Sequence, residues 1–547
     1  MFLRTKTVRG HQYLQLVENR WEGGRSRQRV VASLGRLDEA LSRGTLDGIL
    51  ASGARLSETV LLLSAHRQGK AHTVRSTRIG PSLIFERLWK ETGCAEALAK
   101  LLGKRKFEFP VERAVFTEVL HRLIAPGSDR DGIFWKEAYA IADADDVCLH
   151  HSYRAMAWLG EAFEDGELGP RCTKDAIEEE LFRHRRDLFS SLELVFFDTT
   201  SIYFEGNGGQ EIGARGYSKD KRPDLLQMVV GVVVNEEGWP ICCEMWPGNT
   251  ADSTTVLPVV ERLRKRFGIS RVCFVADRGM IAKDTLAELE KQGLSYILGA
   301  RMRSQKEVRD VVLDAPGRFR VVVPRTAKRR GQRAPSPLKV KDVDIDGRRY
   351  VVCVNESQAK KDAADRQAIV AALERKLEQG PKALVGNAGY RRYLAIGADS
   401  VTIDEDKIAT EARYDGTWVL RTNTDYDAVE VALVYKHLWQ VEDVFRSMKS
   451  LLATRPIYHR TDDAIRGHVF CSFFALLLRA ELQQRLAAKG LGDIEWAQLL
   501  RDLDRLESVD IENDGKHFRL RTEATGVTGK VFQAVGVALP PTLQRIA

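Results

Sequence analysis

Residues 192–204 read LELVFFDTTSIYF. The run is short and rich in aromatic and β-branched types, which marks a strand, and it delivers one acid, Asp198, at the end of its apolar half. The same texture continues downstream. LLQMVVGVVVNEEGWPICCEMW (225–246) reads as two strands joined by a turn at Asn235–Gly238. TTVLPVVERLRKRFG (254–268) is a helix, RVCFVAD (271–277) a strand that again ends in an acid, AKDTLAELEKQG (282–293) a helix and SYILGAR (295–301) a strand. Three strands in hairpin style, then helix, strand, helix, strand, predict a mixed sheet with helices on its faces.

The flanks differ in rhythm. The first 40 residues alternate in strand fashion around a turn at Glu22-Gly23-Gly24, so a hairpin-containing module is expected over 1–75, with a helix near 56–68. From 76 to 190 the apolar period is helical, as in AVFTEVLHRLI (114–124). Short strand patterns around one charged helix near 362–379 suggest a β-rich insertion over 301–425. The α/β core of 191–300 then resumes over 426–480, and 481–547 is expected to be helical.

Composition bounds the function. With 547 residues, three or four domains are expected, and 44% hydrophobic with 29% charged residues describes a soluble globular chain. Net charge is only +8, but residues 301–340 hold twelve Lys/Arg against three Asp/Glu. Two readings of that stretch stand, a solvated basic loop (RTAKRRGQR, 325–333) and a phosphate-facing surface. The eight cysteines form no CxxC pair, so no zinc framework is expected, and a reducing cytoplasm fits. There is no signal-peptide core, and the apolar run VFCSFFALLL (469–478) is half a bilayer span, so no membrane partner is expected.

Asp198 and Asp277 each end an apolar strand, a placement that holds a carboxylate rigidly beside low-dielectric walls and suits a divalent-metal site. A third acid, Glu442, lies in YKHLWQVEDVFRSMK (435–449), where helical spacing puts Tyr435, Arg446 and Lys449 on its face. Taken alone, that stretch is equally an amphipathic surface helix with an Arg/Glu pair.

Together, Asp198, Asp277 and Glu442 resemble the acid triad of DDE transposases from bacterial insertion sequences. The motifs that carry the resemblance run in order: FFDTTSIYFEG (196–206), RGYSKDKRPDLLQMVVGVVV (215–234), PGNTADSTT (247–255), VADRGM (275–280), YDGTWVLRTN (414–423), the Glu442 helix and RPIYHRTDDAIRGHVFCSFFALLL (455–478). The resemblance covers roughly 190–480 and implies a ribonuclease H-like core with the β-rich insertion before the glutamate helix. It implies cleavage at transposon ends and joining of the 3′-OH to target DNA, with Asp198, Asp277 and Glu442 holding two Mg²⁺ (or Mn²⁺) ions. In the family's helix pattern of Tyr, Arg, Glu and Lys, this chain has Tyr435, Glu442 and Lys449, but Leu438 stands at the Arg position.

Further expectations follow from the resemblance. Tyr435, Arg446, Lys449, Arg278, Trp418 and His459 are DNA-contact candidates, with Trp418 also a core residue by its pattern and His459 and His468 also structural histidines. Asp252 is most simply an N-cap, although the family motif places its loop near the pocket. The partners implied are double-stranded DNA (terminal inverted repeats and target) and a second copy of the chain on DNA, in the bacterial cytoplasm at the nucleoid. The N-terminal module and the 76–190 helices are candidates for end recognition, and 481–547 for dimerisation. Two other readings remain at this point: a nuclease or resolvase on the same core without strand transfer, and a non-catalytic DNA-binding derivative.

Overall fold

The computed structural model describes residues 2–22, 25–56, 72–103, 105–163, 171–185, 194–269, 273–280, 282–322, 336–378, 392–396, 401–513 and 516–546. Two expectations, the helical stretch beyond residue 56 and the basic run 325–333, lie outside them; the helix that is described there is Thr45–Leu56. No described helix is long and apolar enough to cross a membrane.

The chain forms two compact units. The smaller combines residues 1–78, 505–525 and 539–547. It holds a three-stranded antiparallel sheet of Phe2–Val8, His11–Glu22 and Arg25–Arg36, one strand more than a hairpin. It also holds a four-stranded sheet in which His72–Arg78 pairs with Glu507–Asn513, followed by Lys516–Arg521 and Leu543–Ile546. The C-terminal region is therefore not helical throughout. Helices at Trp496–Asp504 and Thr528–Val535 belong to the larger unit, and the three C-terminal strands to the smaller one. Those strands are mostly polar (KHFRLR, for example) and carry too few apolar residues to announce themselves.

The larger unit, 79–504 with 526–538, is built on a nine-stranded mixed sheet. Its strands are β1 (Leu194–Tyr203), β2 (Gln227–Val234), β3 (Pro240–Pro247), β4 (Cys273–Ala276), β5 (Ser295–Gly299), β6 (Arg320–Val322), β7 (Leu338–Ile345), β8 (Arg348–Asn355) and β9 (Thr417–Thr422). The spatial order is 6-7-8-9-5-4-1-2-3. β1, β2 and β3 are antiparallel neighbours, while β4 runs parallel to β1 and to β5. The expected mixed α/β sheet is present. Four strands of the segment 301–425, β6 to β9, extend the same sheet, with β9 antiparallel to β5, while Leu394–Ile396 and Val401–Ile403 pair with each other in a separate two-stranded sheet.

Helices α1 (Asp252–Phe267) and α2 (Lys283–Lys291) cover one face. Val256, Val259, Val260, Leu263, Leu286 and Leu289 pack there on Val195, Phe197, Phe274 and Ala276. Arg266 near the end of α1 is tied to Asp175, Glu178 and Glu179 on helix Thr173–His184 and to Glu244 on β3. An almost fully buried arginine with this many acids fixes the helix axially, because losing any partner strands a charge in a poorly solvated interior. The opposite face carries α3 (Ala428–Lys436), α4 (Trp439–Arg446) and the long apolar α5 (Asp462–Ala488). α5 packs against helices Val111–Ile124 and Leu149–Gly160 of the helical region.

Candidate active site

The two strand-borne acids are placed by register. β4 lies parallel beside β1 with Ala276 opposite Phe197, so the next residue of each strand, Asp277 and Asp198, fall side by side. Phe197 points into the α1/α2 core, and alternation turns Asp198 to the other face. Asp198 accepts the Thr199 backbone N–H at 2.7 Å. Its carboxyl is pushed up to about 6, first by burial and further by the Asp277 and Asp252 charges, with Lys219 opposing. A buried carboxyl that resists ionisation, with two further acids on the same cavity, is a donor set short of positive charge, and hard oxygen donors of this kind fit a divalent cation such as Mg²⁺.

Both acids line a cavity of about 640 Å³. Asp252 lines it too, which corrects its N-cap assignment. Ala251 occupies the N-cap of α1 and Asp252 is the first helical residue. Its carboxylate accepts the Thr199 hydroxyl at 2.6 Å and pairs with the Lys219 ammonium at 3.1 Å. Lys219 in turn donates to the Thr199 carbonyl at 2.7 Å and hydroxyl at 2.9 Å. The rim is cationic, with Arg278, Arg301, Arg303 and Arg392. Arg301 donates to the carbonyls of Arg278 and Gly279, bracing the turn after Asp277. Arg303 stacks on Tyr414 and pairs with Glu411 at 3.0 Å. An acidic floor inside a ring of arginines can hold a metal ion and grip phosphates on either side of it.

Tyr435 closes the site from the helix side. Its hydroxyl donates to Asp277 at 3.0 Å, and burial beside that carboxylate raises its pKa so that it stays protonated. The approach depends on Gly299, where a Cβ would stand 2.6 Å from the Tyr435 hydroxyl.

The rest of the segment 435–449 is not the single helical face the spacing predicts. α3 ends at Lys436, and Leu438, Gln440 and Val441 donate backwards by three residues rather than four. α4 then widens into a π-turn at Ser447–Leu451. The face therefore rotates twice. Leu438 is turned inward and only 7% exposed, so it is a packing residue where the family has Arg. Glu442 is exposed and is not among the residues lining the cavity. Arg446 is exposed and pairs with Asp443 at 3.3 Å. Lys449 is buried against Asp220 at 2.8 Å, an acid it shares with Arg455. Burial pulls the Lys449 pKa down while Asp220 pushes it back.

Two other DNA-contact expectations land away from the cavity. Trp418 sits within β9 opposite Cys353, its indole N–H buried without an acceptor among the described residues. His459 is largely buried and pairs with Asp129 at 3.0 Å. His468 accepts from Arg122 at Nδ1 and donates from Nε2 to the Thr454 carbonyl, a fully satisfied neutral ring and a structural one. Arg278 does reach the cavity. Thr199, Lys219 and the rim arginines 301, 303 and 392 were not singled out from sequence. The available signals were the basic run RGYSKDKR (215–222) on the connection after the first acid-bearing strand and, for Arg301 and Arg303, the basic excess of residues 301–340.

Compared with known families, residues 190–478, more than half of the chain, match the family described as Transposase DDE domain. Residues 3–65 match the one described as IS1634 family transposase, N-terminal domain. A comparison with curated proteins finds no match.

Proposed function

The chain belongs to the DDE transposase family, and we propose that the cavity holding Asp198, Asp277 and Asp252 is where it cuts a transposon end and joins the freed 3′-OH to target DNA. It is an insertion-sequence transposase, an enzyme of the metal-dependent DNA endonuclease and strand-transferase class. The family uses divalent metal ions. The observation that carries the site assignment is the parallel register that sets Asp198 beside Asp277 in a cavity rimmed by arginine.

Asp198 and Asp277 are the residues to hold the cations, two Mg²⁺ in this reading. Bound there, the ions would supply Lewis-acid polarisation of the phosphoryl oxygens and activation of the attacking water or 3′-OH. The chain's own residues do the rest. Tyr435 donates to Asp277 and so fixes its orientation. Lys219, clamped by Asp252 and Thr199, presents a positive charge at the cavity wall. Arg278, Arg301, Arg303 and Arg392 hold the phosphates on either side of the scissile one.

Glu442 is the third acid in this reading. Its support is the family pattern of Tyr435, Glu442 and Lys449 in sequence, while in the cavity itself Asp252 stands beside the two strand acids. Two ends must be processed together, so the working form is a dimer on DNA, acting at the nucleoid on terminal inverted repeats and target duplex.

The test is a duplex carrying the terminal repeat that flanks the gene, supplied intact and pre-cleaved. Mg²⁺-dependent cutting of the first and joining of the second are expected. Cutting without joining would make the chain a nuclease on this core.

A further inference from the structure

We propose that Tyr217 is the face on which the nucleobase next to the scissile phosphate stacks. This rests on the cavity being the cutting site. Tyr217 lines that cavity together with Asp198, Asp277 and Lys219. It is 86% exposed, more than any other large apolar or aromatic side chain among the described residues. Among those residues it has no ring or hydrogen-bond partner. A single exposed aromatic is ordinary on a protein surface, but this one stands on the wall of the cavity that holds the acids, with its flat face open to whatever that cavity takes up.

The ring is also held in place from below. It sits on the connection between β1 and β2, which is pinned at several points. Asp462 at the start of α5 accepts the backbone N–H groups of Gln210 at 3.1 Å and Ile212 at 3.1 Å. Gly216, the residue before Tyr217, lies so close to Gly248 that a Cβ would stand 2.0 Å from its carbonyl oxygen. Just after the ring, the Lys219 N–H donates to the Ser201 hydroxyl at 2.8 Å and the Arg222 N–H to the Ser218 hydroxyl at 3.1 Å. An aromatic on a braced backbone loses little freedom when a ligand covers it.

The chemistry of the neighbours identifies the ligand. Lys219, two residues on, and the rim arginines face a polyanion, while the acid floor requires a metal between itself and that anion. A phosphodiester seated there brings a flat base within reach of the cavity mouth. Every base offers a π-face, so stacking on Tyr217 is indifferent to sequence. The base must leave the helical stack to reach the ring, which is least costly beside a break or an end.

A double-mutant cycle tests this, with the full-length protein and the terminal-repeat duplex. Y217A, Y217F and Y217W are compared on intact duplex and on duplexes with one abasic nucleotide placed in turn at each position flanking the cut, on both strands. We expect Y217A to cut intact DNA about ten- to a hundred-fold more slowly, Y217F and Y217W to stay near wild type, and one abasic position at which Y217A causes no further loss. That non-additivity is what a purely structural role of the ring would not produce. The proposal is overturned if Y217A cuts normally, if Y217F is as slow as Y217A, or if the Y217A loss adds to the abasic loss at every position. Failure of the wild-type protein to cut the intact duplex would instead sink the functional reading on which the proposal rests.

Discussion

Asp198 and Asp277 ride on adjacent parallel strands, whereas Tyr435, Glu442 and Lys449 ride on a segment that changes its helical pitch twice. The strand pair needs only the sheet to be correct: once Ala276 is opposite Phe197, the acids are neighbours. The helical trio needs every residue from 435 to 449 to keep the same pitch, and it does not. Tyr435 ends against Asp277, Lys449 ends in a buried pair with Asp220, and Glu442 is left at the surface. Hydrogen-bonded register carries position across sequence distance without error, while helical spacing accumulates every local change of turn.

The comparison can be broken most forcefully by Asp277→Asn and Glu442→Gln. Each is expected to lower cleavage by on the order of a thousand-fold or more: in the proposed reading D277N removes a ligand of the sheet-borne metal pair, and E442Q removes the third acid that the family pattern gives to the reaction. DNA binding, read by gel shift, should survive both. Near-normal cleavage by E442Q would remove the helix from the catalytic set.

Leu438→Arg asks whether the family's residue can be restored. Leu438 faces the core, so the guanidinium would be buried without a partner, and a loss of about 2–4 kcal/mol in urea unfolding is expected instead of better activity. An L438R protein of unchanged stability and higher activity would mean that this segment re-winds readily. Asp252→Asn, which loosens Lys219 and Thr199, should cost about ten- to a hundred-fold in cleavage, the range for residues that orient a metal site. A complete loss would promote Asp252 to a ligand.

The smallest effect concerns stability. In the metal-free protein the Asp198 carboxyl has its folded pKa raised to about 6, so the native state binds the extra proton. Stability then falls as pH rises from about 4 through 6, and the penalty is fully present above that. Asp198→Asn should therefore stabilise the metal-free protein by on the order of 1–3 kcal/mol at pH 7.5 and not at all at pH 3.5. Thermal unfolding at the two pH values checks it, and a D198N protein less stable at pH 7.5 would contradict a raised pKa caused by burial beside the other acids.

The sequence made the strand side of this comparison legible. Short apolar runs ending in acids announced β1 and β4, and alternation gave their faces. The helix side was legible as composition but not as geometry, because no Gly or Pro marks the change of pitch near Lys436, where an inward Leu438 and a 54% exposed Trp439 set the phase. Asp252 looked like a cap because an Asp at a helix start usually is one, and its true partners, Thr199 and Lys219, come from other elements. The C-terminal strands were missed for a related reason: the first of them pairs with residues 72–78, more than 400 positions away, and most of their side chains are polar.

In the proposed reading, β1 and β4 bring the metal-holding acids together before DNA arrives. Titration of the DNA-free protein with Mn²⁺, followed by calorimetry at pH 7.5, tests it directly. Saturable binding is predicted for the wild-type protein and for E442Q, and its loss in D198N and D277N. Undiminished binding by D198N and D277N, or loss of binding in E442Q alone, would contradict the account.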